Sequence, residues 1–115
     1  MSFFIVRPGQ NIFEVDLIAL IRHYEGLYFQ DVKPIASAEF VPSLDGDARV
    51  LPEIDKIELH SRFLQSLKAC SIFVIHELIN NKLYKKHGAA QPYEGEHFQA
   101  ELDRLWAAGA YRNLL

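Results

Sequence analysis

Cysteine is nearly absent from this 115-residue chain: Cys70 stands alone, so no intramolecular disulfide can form and a thiolate zinc cluster within one chain is excluded. A lone thiol suits a reducing compartment, and a cytoplasmic location is the expectation. A basic surplus is absent too. Twelve Lys and Arg against 15 Asp and Glu leave a net charge of −3, the wrong sign for a dedicated nucleic-acid binder. No apolar run approaches the ~18 residues of a membrane span, and residues 1–6 lack the basic start of a signal peptide. The few glycines are scattered singly. That removes the phosphate-cradling G-x-G-x-x-G and P-loop patterns; G-x-S-x-G is missing as well. Asp45-Gly46-Asp47 is too short for an EF-hand loop and reads as turn chemistry.

What is present is a half-apolar chain without repeats or linker-like stretches, which reads as a single α-rich domain over residues 1–115. The expected fold is mainly α: three helices, one of them very long, with a minor β element. Residues 2–6 are apolar and β-prone, a short strand or a packed arm. A first helix is expected over residues 11–29, with Asn11 as N-cap and Glu14 in the capping-box position. Its stripe is Phe13, Leu17, Leu20, Ile21, Tyr24 and Tyr28. Residues 38–41 and 48–51 flank the Asp45-Gly46 turn signal, either as a small hairpin or as an extended loop. Pro52 and Glu53 then look like the start of a helix that nothing interrupts before Gly88. At some 35 residues it would be roughly 50 Å long, bent in the middle or projecting at one end. A strand at residues 72–75 competes with it, and the periodic flanks favour helix. The last helix spans residues 96–108, with Phe98, Leu102, Leu105 and Trp106 facing inward.

Three patterns touch on metal chemistry. His76-Glu77-Leu78-Ile79-Asn80 echoes the zincin H-E-x-x-H, but Asn80 replaces the second histidine, and Asn is a poor zinc ligand. Glu94-Gly95-Glu96-His97 has the Glu-x-x-His spacing of di-iron bundles, which need two such motifs and two further glutamates. His76, Glu77 and His97 are therefore weak metal candidates, and neither a metal nor a cofactor is expected. Cys70 lies in an apolar run, the wrong surroundings for a reactive thiolate. Binding is better supported. Lys82, Tyr84, Lys85 and Lys86 cluster near one helix end. The 14 aromatic side chains are more than three helices easily hide, with Trp106 and Tyr111 near the C-terminus. The expectation is a non-catalytic protein-binding module: a small inhibitor, immunity-type protein, chaperone or adaptor. Its partner would be another protein or a second copy, not a membrane or a nucleic acid. The alternatives are a structural subunit of a larger assembly, such as a phage or secretion component, and a His/Glu metal-dependent enzyme.

Overall fold

The computed structural model describes residues 3–6, 13–90 and 95–114. Over them the fold is mixed α/β, about half helical and a fifth strand, with three helices and two sheets. This overturns the α-rich expectation, and the cause lies at residue 55. Pro52–Ile54 does start as a helix, but only as a single 3-10 turn. Asp55 ends it by taking a left-handed φ of 50°, which a short polar side chain tolerates better than most. The next residues alternate. Ile57 and Leu59 are fully buried, and Lys56–His60 forms a strand. After another 3-10 turn, Ser61–Phe63, the long helix begins at Leu67, where the Ser66 hydroxyl accepts the Ala69 N–H at 3.2 Å. That helix, Leu67–His87, has 21 residues and not 35, about 31 Å at the usual rise. It ends as expected at Gly88, whose φ of 75° suits glycine. It includes residues 72–75, where helix prevails over strand.

The first helix is shortened for a similar reason. Phe13–Val15 (β2) is a strand paired antiparallel with Phe4–Val6 (β1), Phe4 opposite Val15 and Val6 opposite Phe13. Helix α1, Leu17–Tyr28, starts only after Asp16, whose carboxylate accepts the Ala19 N–H at 3.1 Å. Asp16 is thus the N-cap and Glu14 belongs to a strand, while Asn11 lies outside the described residues. Residues 38–41 and 48–51 fall within strands, as Ser37–Val41 (β3) and Ala48–Leu51 (β4), but they form no hairpin. Lys56–His60 (β5) lies between them, parallel to β3 and antiparallel to β4.

The Leu67–His87 helix (α2) packs on β4 and β5 and touches both α1 and the last helix, Glu96–Ala107 (α3). The core lies between these layers, with Ile21, Ile35, Ile57, Leu59, Ile75 and Ile79 fully buried. One buried charge has a clear structural role. Glu77 on α2 accepts the outward backbone N–H of Val50, so the helix closes the free edge of β4. In α3, Phe98 and Leu105 are buried and Leu102 partly so, but Trp106 is 61% exposed, contrary to the inward expectation. Among the described residues no helix is long and apolar enough to cross a membrane.

Candidate binding groove at the end of helix α3

Helix α3 stops in a turn that sends the chain back against α2. The Gly109 N–H donates to the Trp106 carbonyl at 3.1 Å and the Ala110 N–H to the Leu105 carbonyl at 3.0 Å. This pair of bonds is a Schellman turn, and it requires a left-handed residue; Gly109 supplies φ +85°. Ala110 and Leu105, buried together, provide the apolar contact that such a turn favours. The reversal delivers Tyr111 beneath Trp106, ring centroids 5.6 Å apart, and beside His76 of α2 at 6.1 Å. His76 also meets Phe98 edge-on at 6.2 Å.

The resulting groove has a volume of about 410 Å³ and is lined by His76, Gln99, Leu102, Asp103, Trp106 and Tyr111. That lies within the usual range for ligand-sized sites, ~300–1,000 Å³. Its polar groups are unusual. The Tyr111 hydroxyl is buried and has no hydrogen-bond partner among the described residues. Burial pushes its pKa up to about 12, which keeps it protonated and neutral. Burial also lowers the pKa of His76, which favours the uncharged imidazole. At the rim the Asp103 carboxylate accepts from the Gln99 amide at 3.1 Å and pairs with no cation among the described residues. The arrangement can hold an apolar group against the rings of Trp106 and Tyr111 and attract positive charge at one end.

Of the residues that sequence reasoning chose for partner contact, Trp106 and Tyr111 come together here. The lysine end is organised differently, because the helix does not project. Lys85 reaches Asp55 at 2.7 Å and the Pro52 carbonyl at 2.9 Å, and Tyr84 donates to Glu53 at 3.0 Å. Lys82 lies between Glu101 at 2.8 Å and Asp31 at 3.3 Å. Lys86 stays exposed beside a smaller cavity shared with Lys33, Lys82 and Lys85.

The three metal candidates are separated. His76 lines the groove, Glu77 is turned to β4 and takes a 3.2 Å hydrogen bond from Asn80, and His97 stacks on His87 at 4.1 Å. His76 and Asp103 offer the groove two donors, and among the described residues no group of three His, Cys, Asp or Glu converges. Asp103 and Gln99 were missed in the sequence. The available signal was spacing: Gln99, Asp103 and Trp106 recur at i, i+4 and i+7, one polar-aromatic face of a helix. No protein-family model, curated protein or solved structure matches the chain.

Proposed function

We propose that this chain is a non-catalytic protein-binding module whose contact surface is the groove of His76, Trp106 and Tyr111. One observation carries the reading: a tryptophan 61% exposed and packed against the Tyr111 ring at the edge of a groove. Aromatic side chains of this kind anchor interfaces because they bury a large area at low entropic cost. Asp103 sets the charge. The segment that fits presents an apolar or aromatic side chain with a lysine or arginine next to it, the cation lying between Asp103 and the Trp106 face.

Peptide display on the immobilised protein tests this, followed by titration of the selected peptides. Trp106 is the chain's single tryptophan, so its emission reports occupancy in the parent protein and in Asp103→Asn, while calorimetry reads Trp106→Ala. Selected sequences should share an apolar residue beside Lys or Arg. They should lose at least ten-fold in affinity against Trp106→Ala, and several-fold against Asp103→Asn. No enrichment, or peptides indifferent to both substitutions, overturns the proposal.

A further inference from the structure

The two edges of the three-stranded sheet are treated differently. The β4 edge is closed by Glu77. In β3, the Ser37 N–H points inward to the Asp55 carbonyl at 3.3 Å, which fixes the alternation. Ser37, Glu39 and Val41 direct their backbone groups to β5, and Ala38 and Phe40 direct theirs outward. Among the described residues none pairs with those outward groups. They open instead into a cleft of about 250 Å³ whose far wall is the β1–β2 ribbon and the start of α1.

The cleft has a definite chemistry. Among the described residues, Glu14, Asp16 and Glu39 line it together with apolar Ile5, Val15 and Ile18, and no basic side chain does so. The sheet itself indicates which charge comes next. Across the three strands one row reads Glu39, Glu58, Arg49. Arg49 pairs with Glu58 at 2.5 Å, while a single lysine, Lys56, serves both Glu58 and Glu39. Directly opposed side chains of unlike charge stabilise a ladder and like charges weaken it. A fourth strand beside β3 therefore wants a cation opposite Glu39. A second copy paired antiparallel about Glu39 would oppose two glutamates.

We infer that the β3 edge is a second docking site, which takes an extended basic segment of another protein by antiparallel strand addition. The segment has a lysine or arginine opposite Glu39 and small apolar residues opposite Ala38 and Phe40. The inference is independent of the groove, since it uses other elements and other residues.

The test is amide NMR on the full chain, with an end-blocked Lys-Val-Lys-Val-Lys peptide as probe. With the peptide antiparallel to β3 and its central lysine opposite Glu39, both valine N–H groups face β3. The peptide should shift the Ala38 and Phe40 amides saturably and slow their exchange with solvent. N-methylation of both valines should weaken binding at least ten-fold, Glu39→Gln should weaken it several-fold, and Glu-Val-Glu-Val-Glu should not bind. The inference is overturned if Ala38 and Phe40 do not respond, or if the N-methylated peptide binds equally well. It is also overturned if these amides become protected on raising the protein concentration alone, which would assign the edge to a second copy.

Discussion

Replacing Phe98 by alanine should detach α3 and dismantle the groove while leaving the remainder folded. Helix α3 holds to the body mainly through two buried side chains, Phe98 and Leu105, 2% and 0% exposed, beside the partly buried Leu102 and the Lys82–Glu101 ion pair. Full burial of such residues is worth about 1.5–3 kcal/mol each, and a buried Phe→Ala change costs about 3–5 kcal/mol once the cavity is included. That loss takes most of what holds α3 in place. A detached helix of 12 residues is too short to persist in water, where about 12–15 is already marginal. Trp106 sits on α3 against Tyr111, so its emission and near-UV dichroism follow the groove, whereas far-UV dichroism follows α1, α2 and the sheet. In urea the two signals should melt together in the parent protein. In Phe98→Ala the tryptophan signal should fail first. A single coincident transition in the variant, or a shift below about 1 kcal/mol, would refute the view of α3 as a separately anchored element.

Three further outcomes follow from buried groups. Burial raises the pKa of Glu77, against the opposing hydrogen bonds from Asn80 and the Val50 amide. Its carboxyl therefore favours folding most below the unfolded value near 4.5, and that contribution declines as pH rises above it. Glu77→Gln keeps an acceptor for Val50 without the charge, so its stability advantage in urea melts should grow from pH 5 to pH 8; an advantage that shrinks contradicts this. Cys70, buried and pushed up to about 12, donates its S–H to the Phe63 carbonyl at 3.1 Å. It should react with a thiol reagent at least a hundred-fold more slowly than in denaturant, and equal rates would place it at the surface. Plasma emission spectrometry on the purified protein should find well under one zinc or iron per chain, because His76, Glu77 and His97 point to three separate places. One equivalent of metal, lost on His76→Ala, would revive the zincin pattern.

How far the sequence was legible depended on the range of the interactions involved. Helix α3 and the Gly88 stop could be read because capping and periodicity are local. The region before α2 misled because Pro52 and Glu53 are true helix starters. What cancels them is the backbone angle of one residue, Asp55, together with the pairing of β5 with β4 just before it and with β3 further back in the chain. The alternation of Ile57 and Leu59 was visible over five residues, but it was submerged in a longer helical rhythm. In the groove, Trp106 and Tyr111 stood out by composition. Their union with His76 depends on the turn at Gly109 and on the docking of α3 against α2, neither of which a linear pattern encodes.

The strand order β3-β5-β4 has a consequence for synthesis of the chain. The strand that joins the sheet is the last of the three to leave the ribosome. Until Lys56–His60 emerges, Ser37–Val41 and Ala48–Leu51 have both been made and neither has its partner. The loop between them must hold open a gap one strand wide, which disfavours their closing on each other. Nascent chains ending before residue 56 should therefore be the most sticky intermediates, and folding should start only when the central strand and α2 arrive together.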